Sequence, residues 1–137
     1  MKRYLLDTNT VSHLVKAHPV VVQRVVGIPM ATLCISAITE GELLFGLAKR
    51  PEAKRLQAVV QEFLRRVEVL PWDSTAADRY GFVRADIEKR GQTLAPLDLL
   101  IAAHALSIGA VLVTNDRVFH QVPHLDIEDW TVLNNSQ

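Results

Sequence analysis

The amino-acid sequence predicts an α/β protein, a three-layer α/β/α sandwich with a mostly parallel central sheet, on three observations. Short aliphatic runs recur along its 137 residues, segments of helical length separate them, and Pro, Gly and Asn-Asp mark the joins. Strands separated by helices of this length need right-handed crossovers, which produce a parallel sheet covered on both faces.

Arg3 to Leu6 is an apolar run ending at Asp7, and Thr8 to Lys16 turns helix-like until Pro19 interrupts it. Pro19 suits a first helical turn, so Val20 to Val26 is expected as a second helix, closed by Gly27 and Pro29. Thr32 to Ser36 reads as a buried strand. Ala37 to Lys49 is helical material despite Gly41 and Gly46, and Pro51 marks the break before a helix over Glu52 to Arg66. Glu68 to Leu70 is a brief strand; Asp73 or Ser74 then caps a long helix that runs to Arg90 and stops at Gly91. Asp98 to Ile108 is helical and ends at Gly109, Ala110 to Thr114 is a β-branched strand, and Leu125 to Ile127 is expected to add an edge strand. No linker-like or low-complexity stretch divides residues 1–137, so one domain is expected, with Asn134 to Gln137 fraying.

The apolar fraction, 49%, suits a continuous core. Cys34 is alone, which excludes an internal disulfide, and its place in Thr32-Leu33-Cys34-Ile35 makes it a core residue. Tyr4-Leu5-Leu6 is too short for a signal peptide and no run approaches the roughly 20 residues needed to span a bilayer, so a cytoplasmic chain without membrane contact is expected. Fifteen basic and fifteen acidic residues balance, but unevenly: ten of the bases lie between Lys49 and Arg90, whereas Gly91 onward holds five acids and only Arg117. Such a flank suits phosphates, and equally suits the solvated faces of two helices.

In open parallel sheets ligands bind beyond the carboxyl ends of the strands, and two strands here run into aspartates, Asp7 and Asp116. Glu42 lies in the helix leaving the second strand at that edge, and Asp98 opens the helix leading back to the Asp116 strand. Four carboxylates in one pocket repel unless a cation compensates, and oxygen-only ligation selects a hard ion, Mg²⁺ or Mn²⁺. Such an ion suits phosphodiester hydrolysis. Each acid also has a plainer reading: Asp7 and Asp98 as helix-start residues, Asp116 as a turn former. Glu40 shares a helix with Glu42, about 200° away at 100° per residue, and periodicity does not choose between them; Gly46, one turn beyond on the Glu42 side, leaves room for close approach and favours Glu42. His13, His18, His104, His120 and His124 lack the paired spacing of a zinc site, and no nucleophile elbow, dinucleotide loop or P-loop occurs.

Leu6-Asp7-Thr8-Asn9, Ile35-Ser36-Ala37-Ile38 with Glu42-Leu43, Asp98-Leu99-Leu100-Ile101-Ala102-Ala103 and Leu112-Val113-Thr114-Asn115-Asp116 together resemble the PIN domain in order and spacing. The length and the ending Leu125 to Trp130 resemble VapC-type toxins of toxin-antitoxin pairs. That resemblance implies that Asp7 and Asp98 are principal Mg²⁺ ligands, that Glu42 and Asp116 complete the cluster, and that Thr114, Thr8 and Asn9 orient them, with Asn115 able to share the role of Asp116. It also implies cleavage of structured RNA, initiator tRNA among the candidates, with translation as the target. A VapB-type antitoxin as inhibitor, operator DNA reached only through that antitoxin, and a homodimer follow from the same likeness. A haloacid-dehalogenase-like phosphatase fits poorly, because Asn9 stands where a second aspartate is needed, and a receiver domain lacks its early acidic pair. The rival of another class is a noncatalytic PIN module that binds a partner or operator, which the full set of acids argues against.

Overall fold

The structure, a computed structural model, describes residues 2–133, so the expected fraying of Asn134 to Gln137 lies outside the described residues. Five strands, β1 (Tyr4–Leu6), β2 (Leu33–Ser36), β3 (Glu68–Leu70), β4 (Val111–Val113) and β5 (Ile127–Glu128), form one sheet in the order β3-β2-β1-β4-β5. Every neighbouring pair is parallel, so the sheet is more uniform than the mostly parallel one expected. Six α-helices connect them: α1 (Thr8–Val15), α2 (Pro19–Val26), α3 (Ala37–Ala48), α4 (Lys54–Arg66), α5 (Ser74–Lys89) and α6 (Pro96–Ile108).

The pleat sorts the core into two halves, because successive strand residues point to opposite faces. Leu5, Cys34 and Leu112 pack with Val83 and Ile87 of α5 and Leu99, Ile101, Ala102 and Ala105 of α6. Their neighbours Leu6, Leu33, Ile35 and Val113 face the other way and meet Val11 of α1, Val21 of α2, Leu43 and Leu47 of α3 and Val60 of α4. Three layers result, as predicted.

Cap chemistry accounts for most helix starts. Asp7, Ser36 and Asp73 each accept a backbone N–H from the first turn of α1, α3 and α5, and His18 does so for α2 through Nδ1 with Pro19 at the first position. Helix α6 begins at Pro96, two residues before the expected Asp98, since proline needs no N–H partner there; Asp98 falls in its first turn and Ala95 provides no side-chain cap. Gly109 ends α6 at φ 66°, a left-handed conformation that glycine adopts without Cβ strain. Helix α4 starts at Lys54 rather than Glu52, after a turn at Pro51 and Glu52.

Sequence periodicity misses two short 3-10 segments, Met30–Thr32 before β2 and Arg117–Gln121 after β4, which are too brief to show a period. The edge strand sits one to two residues later than Leu125 to Ile127, pairing Leu112 with Ile127. Beyond it Trp130 is buried, its ring centroid 5.3 Å from that of Tyr4 and 5.6 Å from the Arg24 guanidinium carbon. The Trp130 indole N–H donates to Glu128 Oε1 at 2.9 Å, so the segment after β5 is locked onto the sheet. Among the described residues no helix is long and apolar enough to cross a membrane.

Candidate active site

The strand order changes direction between β1 and β4: the chain winds outward from β1 through β2 to β3, then returns to the other side of β1. Such a switch point opens a crevice at the carboxyl ends of the two central strands, because their crossovers leave in opposite directions. Asp7 follows β1 there, and Asp116 lies just after β4. A cavity of about 210 Å³ occupies this crevice, lined by Asp7, Thr8, Asn9, Glu42, Asp98, Ile101, Asp116 and Phe119. All four expected acids therefore line one space. Glu40 does not line it, and no atom lies within 4 Å of a Cβ placed on Gly46, which faces a neighbouring groove rather than a tight packing contact.

Two of the acids are held by the plainer role that each was also given. Asp7 Oδ1 accepts the Thr10 N–H at 2.8 Å, and Asp116 Oδ1 accepts the Val118 N–H at 3.0 Å, starting the 3-10 segment. Thr114 joins them: its hydroxyl accepts the Asp116 N–H at 3.0 Å, and its side chain opposes the rise in the Asp7 pKa. Glu42 is held across the cavity by the Thr8 hydroxyl, which donates to Oε1 at 2.6 Å and also lies 3.4 Å from the Thr39 hydroxyl. Asn9 is exposed at the mouth, whereas Asn115 is exposed and outside the lining, because the chain turns at Asp116 and carries the amide outward.

Electrostatics reflect the crowding. Burial pushes the Asp7 carboxyl above its ordinary pKa, the Asp116 charge adds to the rise, and hydrogen bonds from Thr114 and Thr10 oppose it. Asp98 is raised first by burial and then by Asp116, Asp7 and Glu42, so it senses all three other acids. Yet among the described residues no three His, Cys, Asp or Glu side chains close up into a ready-made cage for an ion. The donor chemistry still fits a hard divalent cation: oxygen only, several formal negative charges, and no nitrogen or sulfur. Mg²⁺ commonly keeps several waters and binds through one or two carboxylates, a requirement looser than a closed cage.

A model of the PIN domain matches residues 4–125. The chain belongs to the PIN-domain family. The tRNA(fMet)-specific endonuclease VapC of Salmonella typhimurium is 40% identical over 131 residues, covering 95% of this chain and 99% of that protein. Its namesake from Shigella flexneri is 36% identical, covering 96% and 100%. Among solved structures, DNA-bound VapBC from Salmonella typhimurium superposes with a TM-score of 0.87 at 40% identity, covering 95% of this chain and 99% of that one. VapBC2 from Rickettsia felis, bound to a DNA fragment from its promoter, gives a TM-score of 0.84 at 31% identity, covering 93% and 98%. Within the PIN-domain family the chain is thus closely related to VapC-type toxins, and its kinship is with ribonucleases whose family generally uses divalent metal ions.

Reading of the sequence missed Ile101 and Phe119 as the apolar wall, and Thr39 beside Thr8. Ile101 stands three residues after Asp98 and Thr39 three before Glu42, so helical spacing alone places each beside its acid. Of the histidines, His104 is buried with Nδ1 2.8 Å from the Ser36 hydroxyl and burial lowers its pKa, the His13 and His18 rings meet edge to face at 5.2 Å, and His120 and His124 are exposed. Cys34 is buried, and burial pushes its thiol up to about 11, which makes it unreactive.

Proposed function

We propose that this chain is a Mg²⁺-dependent endoribonuclease toxin, with Mn²⁺ able to substitute, that hydrolyses phosphodiester bonds in structured RNA and is neutralised by a VapB-type antitoxin. The observation that carries the reading is the convergence of Asp7, Glu42, Asp98 and Asp116 on one cavity at the switch point of a PIN-domain sheet. Asp7 and Asp98 would hold the ion, with Glu42 and Asp116 acting on its waters. When bound, the ion supplies positive charge that the phosphate oxygens meet in the transition state. The chain's own part is orientation. Thr8 holds the Glu42 carboxylate, which on this reading helps position the attacking water, while Thr114 holds the Asp116 backbone and steadies Asp7. Ile101 and Phe119 narrow the wet volume around the acids.

The names of the relatives make initiator tRNA the first substrate to try, and the VapBC structures bound to DNA support an antitoxin partner that carries operator contact. A homodimer belongs to the same reading, and sedimentation of the purified protein tests it. The decisive experiment incubates wild type and Asp98→Asn with total bacterial RNA and Mg²⁺ or Mn²⁺, then maps new 5′ ends. One discrete cut made by wild type alone is expected; RNA left intact by both proteins overturns the enzyme.

A further inference from the structure

Seven of the fifteen basic residues are ion-paired among the described residues and eight are not, and five of those eight, Lys54, Arg55, Arg79, Lys89 and Arg117, lie outside the groove between α1, α3 and α4. Arg65 and Arg66 both pair with Glu62, Arg84 with Glu88 at 2.9 Å, Arg90 with Asp86 at 2.8 Å and Arg3 with Glu68 at 2.8 Å, while Arg24 and Lys2 reach Glu128 at 3.5 Å. Those charges are answered within the fold. Lys16, Lys49 and Arg50 are exposed, form no ion pair among the described residues, and line a single groove of about 210 Å³ between α1, α3 and α4. That groove also contains Thr8 and Glu42, both of which line the acidic cavity, so the two spaces are neighbours across the hydrogen-bonded Thr8–Glu42 pair. Gly46 lies in the groove wall with open space where a side chain would stand.

We propose that Lys16, Lys49 and Arg50 form a phosphate-binding rim that holds the RNA backbone beside the bond presented to the acidic cavity, an assignment that rests on the nuclease reading above. A polyanion approaching four carboxylates meets net repulsion, and cations on the path into the cavity offset it. An acidic peptide carries the same sign of charge. Adjacency across Thr8 and Glu42 favours RNA, because a strand with one bond at the acidic cavity brings its flanking phosphates to the neighbouring groove. The three cations also stand at the C-terminal ends of α1 and α3, where positive charge complements the helix dipoles, and Lys49 Nζ lies 4.7 Å from the centre of the exposed Phe45 ring. A purely local role of that kind predicts a change in folding stability, whereas a rim predicts a change in RNA affinity.

The test compares Lys16→Gln/Lys49→Gln/Arg50→Gln with Arg65→Gln/Arg66→Gln, both in an Asp98→Asn background that prevents cleavage. Binding of a fluorescein-labelled RNA stem-loop is followed across a KCl series. The rim variant is expected to bind at least roughly tenfold more weakly at low salt, with the slope of log K against log salt reduced by about 2, as three lost single-strand phosphate contacts require. The Arg65/Arg66 control should match its parent, and melting temperatures should agree. Unchanged RNA affinity and slope overturn the proposal, whether the variant is merely less stable or loses affinity only for a polyglutamate peptide, which would give the rim to a protein. Failure of the nuclease reading shows separately, as wild-type protein that leaves RNA uncut.

Discussion

Asp7 shows how one side chain serves structure and site together. A carboxylate offers about four lone-pair positions, so accepting the Thr10 N–H leaves capacity facing the cavity. Capping and metal binding are therefore not alternatives at Asp7 or Asp116, which is why sequence alone could not separate them. Asp7→Asn keeps an oxygen for the cap and removes a charge that burial disfavours. The folded pKa of Asp7 lies above its unfolded value, so the charge costs stability fully above the folded pKa, and the cost fades as pH falls through that value toward 3.8. Thermal melts in EDTA should show Asp7→Asn more stable than wild type at pH 7 to 8, with the gap closing in acid; a variant less stable at neutral pH would contradict this. Cleavage by Asp7→Asn or Asp98→Asn should fall at least about 100-fold. Thr8→Val and Thr114→Val, which only loosen their acids, should each cost about 10- to 100-fold, and Thr8→Ser should recover most of it.

At the scale of elements, strands and caps were legible where each has a local cause: Asp73 stands at a helix start as the cap chemistry requires, and Glu68 to Leu70 is a strand with the bounds the residues suggest, whereas Ser36, read only as a strand end, also caps α3. The start of α6 was less legible, since Pro96 and Asp98 both signal an N-terminus two residues apart. Ala95, extended at φ −59° and ψ 148°, leaves that start without a side-chain partner. Ala95→Ser should therefore add about 1 kcal/mol to stability in urea unfolding. Gly109→Ala, at a φ of 66°, should remove about 1–2 kcal/mol at the other end of the same helix. The 3-10 segment Arg117–Gln121 was illegible for a different reason. Its start depends on the Asp116 cap, and Phe119 is fixed there by burial against a core that only the tertiary fold creates.

For the whole molecule, the layer order followed from alternation of strands and helices, but the neighbours of each strand did not. Nothing local says that β4 returns to β1 rather than to β3, and that choice makes the crevice. The cationic groove was hidden likewise: the Arg84–Glu88 and Arg90–Asp86 pairs can be read from a spacing of four, whereas Lys16 shares a groove with Lys49 and Arg50 only because α1 packs beside α3. The proposed metal role makes a prediction about stability. Ten-millimolar Mg²⁺ or Mn²⁺ should raise the melting temperature of wild type and leave Asp7→Asn/Asp98→Asn unmoved. Trp130→Ala, which empties the buried space between Tyr4 and Arg24, should cost about 3–5 kcal/mol in the same unfolding assay.

The position of β4 in the sheet also bears on biogenesis. Thr10 donates its hydroxyl to the Val113 carbonyl across 103 positions of chain, and Asp7 gains the partnership of Thr114 only when that strand docks beside β1. A growing polypeptide thus holds Asp7 without these partners until β4 has emerged. Any activity that needs all four carboxylates waits until the chain through Asp116 has left the ribosome, and a fragment ending before Val111 lacks both the fourth acid and the strand that completes the crevice.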